Sequence, residues 1–320
     1  MKNNSIREIA SILKNAKCVA IFAHVRPDGD ALGSGLALCV ALRNVGKCAY
    51  MCCEEVPPEK FAFLEAMKTV KTGLPEAPFD AFVSVDCADL NRLGAYAKAY
   101  AKFQGVTVNI DHHVSNEGYA KYNYVDVCPA SAQIMTEVIT EAGFPVTKEI
   151  ADLLMLGLIT DSGNFTHLDV TAKTYETAAY LRGNGADMHL INYNMYSRQT
   201  KGRALLFGKV MGRMRFYHDG KLAVITVSAD ELEKSGIDKS QTEGFVDFPL
   251  SVDGVEVAAS VMEFKEGQYK VSLRSKGAVN VSELAATFGG GGHVLASGCM
   301  IFGPLEEVID RLSYAVYQCL

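Results

Sequence analysis

Residues 18–34 read CVAIFAHVRPDGDALGS, in which a short apolar run is followed by a histidine, two aspartates and an apolar helical pattern. Two further apolar runs end in polar clusters, in VSVD (83–86) and VNIDHH (108–113). Short apolar runs that alternate with helical patterns predict buried parallel strands in a doubly wound, mostly parallel α/β sheet. Ligands of such sheets bind beyond the carboxyl ends of the strands, so we expect these clusters to meet at one edge.

The residues of these clusters, together with an aspartate that ends the apolar helical run GLITD (157–161), are candidate metal ligands. Carboxylates and neutral imidazoles suit divalent cations, and an uncompensated carboxylate at the end of a buried strand is costly. Each cluster alone also fits an ordinary structure: a Pro-Asp-Gly turn, a helix cap or a polar loop. Four of them together favour metal-assisted hydrolysis, with phosphate esters as substrates. The clusters supply His24, Asp28, Asp30, Asp86, Asp111, His112, His113 and Asp161 as candidates, and Asp111 could hold an imidazole tautomer instead of binding metal itself.

The chain changes character along its length. Strands and helices alternate at first, helical patterns prevail from about residue 130, and strand patterns return after Tyr217. We therefore predict a catalytic domain over 1–190, a helical linker over 191–216 and a smaller α+β domain over 217–320. In the last domain, GGGGH (289–293) is predicted to be a loop whose backbone N–H groups cradle an anion, with a flexible linker as the alternative.

Composition excludes several classes of protein. The chain has 320 residues, a net charge of −6 and no apolar run of the ~18–20 residues that cross a membrane, so we expect neither a membrane span nor a partner of long duplex nucleic acid. Nine cysteines without a Cys-x-x-Cys pair are typical of buried reduced thiols. The polar residues that interrupt the first 17 positions argue against a signal peptide and favour a cytoplasmic location.

The motifs HVRPDGDALGS, VDCAD, IDHHVSN and LITDSGNF resemble those of the DHH phosphoesterases, in the same order along the chain. The stretches VSLRSK and NVSELAATFGGGGHVLASG resemble the DHH-associated domain. Nearly the whole chain is covered, and among family members the compact two-domain form is most similar to the bacterial nanoRNases. Val25-Arg26 departs from the usual first motif, and Arg26 is a candidate phosphate contact.

The resemblance implies two Mn²⁺ ions, with Mg²⁺ or Co²⁺ as substitutes. His24, Asp28 and Asp86 would bind one ion, and Asp30, Asp86, His112 and Asp161 the other, with Asp86 as the bridge. His113 would contact the scissile phosphate, supported by Asp111. The implied substrate contacts are Asn116, Arg274, Ser275, Gly290, Gly291, Gly292 and His293.

The implied activity is hydrolysis of short single-stranded RNA to mononucleotides and removal of the 3′-phosphate of 3′-phosphoadenosine 5′-phosphate. A small cleft predicts a preference for about two to five nucleotides. One alternative is a phosphodiesterase of cyclic di-AMP or pApA, and another is a non-catalytic nucleotide sensor. A 5′-exonuclease for long chains and a pyrophosphatase are less consistent with the domain content. A homodimer through the helical segments is also predicted, with ordinary core packing as the alternative.

Overall fold

The computed structural model describes residues 3–320, which form two compact units, Met1–Arg198 and Gln199–Leu320. Residues 1 and 2, which precede the first helix, lie outside the described residues. The helix itself begins after a capping box formed by Ser5 and Glu8, and it buries Ile9 and Leu13.

The first unit contains a five-stranded sheet in which all neighbouring strands are parallel, in the order β2-β1-β3-β4-β5. The central strands are fully buried because helices cover a parallel sheet on both faces, which explains their apolar sequences. This arrangement confirms the predicted α/β class. The strands are β1 (Cys18–Phe22), β2 (Cys48–Cys52), β3 (Ala81–Val85), β4 (Val106–Asp111) and β5 (Tyr122–Val125).

Seven α-helices belong to the described part of this unit, and α2, α4 and α5 pack against one another. Buried side chains of α2, α4 and α5 and of one face of the central strands form the main hydrophobic core, and Phe22 and Phe82 of the other face pack with Tyr100 of α3 in a second cluster. The helices are α1 (Ile6–Asn15), α2 (Gly29–Asn44), α3 (Ala97–Lys102), α4 (Ser131–Glu141), α5 (Lys148–Asp161), α6 (Ala172–Gly183) and α7 (Met188–Asn192), and a π-helical turn, Tyr193–Ser197, follows α7.

The second unit contains a six-stranded mixed sheet in the order β10-β11-β9-β8-β7-β6. Only β7 and β8 pair in parallel, so the predicted smaller α+β domain is confirmed. Its strands are β6 (Arg215–Tyr217), β7 (Leu222–Val227), β8 (Val257–Lys265), β9 (Gln268–Ser275), β10 (Gly291–His293) and β11 (Ala296–Phe302). Its helices are α8 (Lys201–Met211), α9 (Ala229–Ser235), α10 (Asp247–Leu250), α11 (Val281–Ala286) and α12 (Leu305–Tyr317).

Two features differ from the sequence predictions. The edge strand β5 was not predicted, and residues 291–293 of the glycine-rich stretch form the short strand β10 instead of a loop. Over residues 3–320 we find no helix with the length and apolar character that a membrane crossing requires.

Candidate active site

The predicted ligands of the first unit converge at the carboxyl edge of its sheet. His24 follows β1, Asp86 follows β3 directly, and Asp111 is the last residue of β4. Asp28 caps α2 and accepts hydrogen bonds from two backbone N–H groups of its first turn, and Asp161 ends α5. β1 and β3 are neighbours although β2 comes between them in sequence, so the strand order reverses beside His24 and Asp86, the place where doubly wound sheets bind ligands.

Two groups of donor atoms meet at Asp86, which is 1% exposed. On one side its Oδ2 lies 3.6 Å from His24 Nε2, which is 3.7 Å from Asp28 Oδ2. On the other side its Oδ1 lies 3.3 Å from His112 Nε2, which is 3.3 Å from Asp161 Oδ2. The two carboxylate oxygens therefore face different groups of ligands.

Hydrogen bonds fix the tautomers of both histidines. His24 Nδ1 lies 2.8 Å from the carbonyl oxygen of Val25, and His112 Nδ1 lies 2.8 Å from that of Cys128. A carbonyl oxygen can only accept, so each Nδ1 carries the hydrogen and donates it. Each Nε2 is then the atom that would present a lone pair to a metal ion, and without metal it carries a hydrogen toward the carboxylates.

The site concentrates negative charge that needs cationic compensation. Burial works to lower the pKa of His24 and of His112, but hydrogen bonds with the neighbouring aspartates raise the pKa of each to about 10. Burial and the charges of Asp28 and Asp86 raise the pKa of Asp161 to about 7. In the absence of metal, protons thus take up charge that a divalent cation would otherwise neutralise.

Asp30 lies between the metal site and the helices beneath it, and it is fully buried. Its Oδ2 accepts from Ser131 N at 2.5 Å and its Oδ1 from Ala132 N at 2.9 Å, so it caps α4 from another part of the chain. Burial and the charge of Asp86 raise the pKa of Asp30. Asp30, His112 and Asp161 still offer ligand atoms within 4.8 Å of one another.

Ser131 is a site residue that sequence reasoning missed. A serine at the start of an apolar helical pattern predicts an N-cap, but Ala130 holds that position in α4 and Asp30 supplies the capping oxygens. The Ser131 hydroxyl instead donates to Asp86 Oδ1 at 3.0 Å. The only sequence feature of Ser131 is its position before an apolar helical pattern, and that position predicts a helix cap and not a contact with Asp86.

Asp111 and His113 form a separate pair beside the metal ligands. His113 Nδ1 lies 2.8 Å from Asp111 Oδ1, and this hydrogen bond raises the pKa of His113. Asp111 also accepts from His112 N at 2.9 Å and from Asn116 Nδ2 at 2.5 Å. The orientation of His113 is therefore held by a buried carboxylate that is itself fixed on two sides. The Asn116 amide, predicted as a substrate contact, is used to hold Asp111 and Asn109.

The donor set fits divalent cations. Carboxylate oxygens and imidazole nitrogens form three groups, and within each group the ligand atoms lie within 4.8 Å of one another. The groups are Asp86, His112 and His113; His24, Asp28 and Asp86; and Asp30, His112 and Asp161. Mixed oxygen and nitrogen ligands bind first-row divalent metals. The site can therefore hold metal, as predicted.

The candidate substrate residues of the second unit lie together on its sheet. Arg274 of β9 and His293 of β10 both pair with Ala296 of β11, so their side chains share one face. The guanidinium of Arg274 lies 3.2 Å from Asp247 Oδ1. The hydroxyl of Ser275 is buried and accepts from Gly277 N at 3.0 Å.

The glycines before His293 make close backbone contacts. A side chain at Gly290 would collide with the carbonyl oxygen of Gly298, and one at Gly292 with that of Ala296. Gly291 pairs with Gly298 in the ladder and is exposed. These contacts explain glycine at 290 and 292 without an anion.

Comparison with known proteins places the chain among phosphoester hydrolases. The model of the DHH family, N-terminal domain, matches residues 18–158, and that of the DHHA1 domain matches residues 219–320. The chain is 32% identical to the bifunctional oligoribonuclease and PAP phosphatase NrnA of Thermus thermophilus, over 98% of this chain and 94% of that protein. It is 26% identical to the Bacillus subtilis protein of the same name, over 94% of each.

A solved structure agrees with this result. An exopolyphosphatase-related protein from Bacteroides fragilis superimposes with a TM-score of 0.84 at 27% identity, covering 98% of this chain and 95% of that chain. The prediction of a hydrolytic enzyme is confirmed by the family and by the names of these relatives. The chain belongs to the DHH family, as its sequence motifs predicted.

Proposed function

We propose that this protein is a two-metal phosphoesterase that hydrolyses short RNA oligonucleotides to mononucleotides and removes the 3′-phosphate of 3′-phosphoadenosine 5′-phosphate. The observation that carries the proposal is the position of Asp86, whose two oxygens face separate groups of ligands at 3.6 Å and 3.3 Å. One carboxylate so placed can bridge two cations. Relatives similar over nearly the full chain carry names that describe both activities.

Two divalent cations, for which we propose Mn²⁺ with Mg²⁺ or Co²⁺ as substitutes, would supply an activated water and stabilise the charge of the phosphate. His24, Asp28 and Asp86 would hold one, and Asp30, Asp86, His112 and Asp161 would hold the other. The carbonyls of Val25 and Cys128 keep the two imidazoles in their ligand tautomers.

His113 is the group that we assign to the substrate itself. Its Nδ1 donates to Asp111, which leaves Nε2 for the phosphate or for the departing oxygen. The hydrogen bond with Asp111 raises the pKa of His113 and so favours the protonated imidazole, which can donate a hydrogen bond and then a proton to the leaving group. Asp111 holds this ring in orientation.

The remaining predictions for substrate binding are parts of the same proposal. Arg274 and His293 share a sheet face and suit anionic contacts, with Ser275, Gly290, Gly291 and Gly292 beside them in sequence or on the neighbouring strand. Asn116 acts through Asp111 in this scheme. The division into 1–190, 191–216 and 217–320, the homodimer and the cytoplasmic location stay predictions.

A second candidate function is hydrolysis of cyclic di-AMP or of pApA. The chain is 27% identical over 216 residues to the cyclic-di-AMP phosphodiesterase GdpP of Bacillus subtilis, which covers 65% of this chain but 32% of that protein. Because the match covers only 32% of that relative, it does not favour this activity over the first.

The test is Mn²⁺-dependent hydrolysis of a labelled series: a dinucleotide, a five-mer, a 24-mer, 3′-phosphoadenosine 5′-phosphate, pApA and cyclic di-AMP. Fast turnover of the short RNAs and of the bisphosphate, with slow turnover of the 24-mer, is expected. Activity confined to pApA or cyclic di-AMP would select the second function. Tight binding without hydrolysis would support the sensor.

A further inference from the structure

Arg92 places a positive charge beside the metal site. It lies in the 3₁₀ turn Leu90–Tyr96, which follows β3 and is capped by Asp89. Its Nη2 atom lies 3.3 Å from Nδ1 of His24, a predicted metal ligand. The side chain is half-buried. A guanidinium in that environment is expected to have an anionic partner.

The backbone fixes Arg92 in this place. Val25 N donates to the carbonyl oxygen of Arg92 at 2.8 Å, which ties the turn after β3 to the segment after β1. Arg92 N donates to Asp89 Oδ1 at 3.2 Å, and Asn91 N donates to the same oxygen at 2.8 Å. Arg92 is thus anchored at the point where the strand order reverses.

Among the described residues, the guanidinium has no acidic partner. Between Asn3 and Leu320, no carboxylate forms an ion pair with Arg92, although four aspartates offer ligand atoms in the neighbouring site. His24 cannot satisfy it either, because Nδ1 carries the hydrogen that it donates to Val25. The five N–H donors of Arg92 therefore lack a strong acceptor next to a site that binds phosphate.

We propose that Arg92 binds the scissile phosphate and favours a terminal phosphate over an internal phosphodiester. This inference rests on the proposed function. A terminal phosphate carries about 1.5 to 2 negative charges at neutral pH, whereas a phosphodiester carries about one. The attraction of one fixed cation grows in proportion to the charge, so Arg92 contributes more to the monoester. It sets the balance between phosphatase and oligoribonuclease activity.

The experiment compares 3′-phosphoadenosine 5′-phosphate with pApA. Both contain 5′-phosphoadenosine, and they differ in whether its 3′-phosphate is free or esterified. The variants are Arg92→Gln and Arg92→Lys, with Arg7→Gln as the control, because the Arg7 side chain is exposed and pairs with the exposed side chain of Glu141. kcat and KM are measured for both substrates. Mn²⁺ affinity and binding of the bisphosphate to Mn²⁺-loaded protein are measured by calorimetry.

Arg92→Gln should lower kcat/KM for the bisphosphate by at least about tenfold, mainly because KM rises. The same variant should lower kcat/KM for pApA by about threefold. Binding of the bisphosphate should weaken by a similar factor, Arg92→Lys should recover part of the loss, and Mn²⁺ affinity should not change. Equal losses for both substrates, or weaker Mn²⁺ binding, would mean that Arg92 only positions His24 and would overturn the inference.

Failure of the proposed function has a different signature. If the wild-type protein hydrolyses neither substrate, the activity is wrong, and calorimetry still decides the role of Arg92. Unchanged binding of the bisphosphate in Arg92→Gln, or no binding to the wild-type protein, would reject the inference in that case.

Discussion

Asp86 combines an unusual backbone with an unusual environment. Its φ of 56° is in the left-handed region, which aspartate and asparagine adopt more readily than most side chains. Burial works to raise its pKa, but hydrogen bonds from His112 and His24 hold it well below the ordinary value. The residue therefore stays charged where two groups of ligands meet. Asparagine is the replacement that keeps both shape and backbone and removes the charge.

The motifs made it predictable that most of these residues meet at one edge of the sheet, since several clusters of aspartate and histidine follow buried strands. Ser131 was not predictable, because a serine before a helix is usually a cap. Asp30, distant in sequence, takes that role in the fold and releases the hydroxyl to bind Asp86. A tertiary contact of this kind leaves no local pattern.

The paired geometry of Asp111 and His113 predicts separate effects on turnover and on metal binding. His113→Gln should lower kcat by about 10²–10⁴-fold, because proton donation and phosphate contact are lost. Mn²⁺ affinity, measured by calorimetry, should change little, since His24, His112 and the aspartates remain. His189→Gln is the control, because His189 stacks on Tyr193 and has no role in the site. A His113 variant with full kcat would contradict the assignment.

At the scale of elements, close packing of helices positions Asp30. A Cβ atom on Gly157 of α5 would lie 2.5 Å from Asp30 Oδ1 and 2.8 Å from the Cβ of Ala132. Glycine at 157 thus lets α5 approach α2 and α4.

The strands β1, β3 and β4 were predictable because they are continuous apolar runs. The strand β5 was not, because its sequence YNYV mixes polar residues at the edge of the sheet.

Gly157→Ala should lower the free energy of unfolding by about 1–3 kcal/mol, because the added methyl group has no room. Gly183→Ala is the matched control. Gly183 ends α6 and has nothing within 4 Å of the added Cβ, so this variant should be neutral or slightly more stable. Urea denaturation of both variants checks the prediction. Equal stabilities would show that α5 can move away from Asp30 at no cost.

An ion cluster around the buried side chain of Glu231 joins the end of α8 to α9 in the second unit. Glu231 accepts from Arg213 Nη1 at 2.5 Å, and Lys209 Nζ lies 2.8 Å from its Oε1. The hydrogen bond with Arg213 is the main reason that the pKa of Glu231 lies well below its ordinary value of 4.5. A lowered pKa in the folded state stabilises the protein above the unfolded pKa, and this contribution is lost as pH falls.

Glu231→Gln should therefore cost about 1–2 kcal/mol at pH 7, a modest value because the partner cations are partly solvated. The difference between wild type and variant should shrink as pH falls below about 4. Unfolding followed across this pH range provides the measurement. Asp230→Asn, which breaks the exposed pair with Lys234, should change stability by less than about 0.5 kcal/mol. A difference for Glu231→Gln that is independent of pH would refute the ionic explanation.

At the scale of the whole molecule, the change from an α/β to an α+β pattern is visible in the sequence, because each unit has its own hydrophobic core. The sequence does not show as clearly which unit a given helix packs against. Residues 201–211 continue a helical region, yet Leu206 and Val210 pack with Ile225 and Val227 of the second unit. Amphipathic periodicity shows that a helix has an apolar face but not which unit covers it.

The pairing of residues 291–293 with β11 could not be predicted from the sequence either. Residues 291–293 have no strand propensity, and their conformation comes from the ladder with β11. Non-local pairing of this kind cannot be deduced from glycine content, although glycine content did mark the stretch as special.

The central claim is that Asp86 joins two metal groups into one hydrolytic site. The most direct test is Mn²⁺-dependent release of phosphate from 3′-phosphoadenosine 5′-phosphate, measured with Mn²⁺ stoichiometry, for the wild type and for Asp86→Asn. We expect the wild type to bind two equivalents of Mn²⁺ and to turn over the substrate, and the folded variant to lose turnover together with tight metal binding. A variant that retains the wild-type rate would contradict the account.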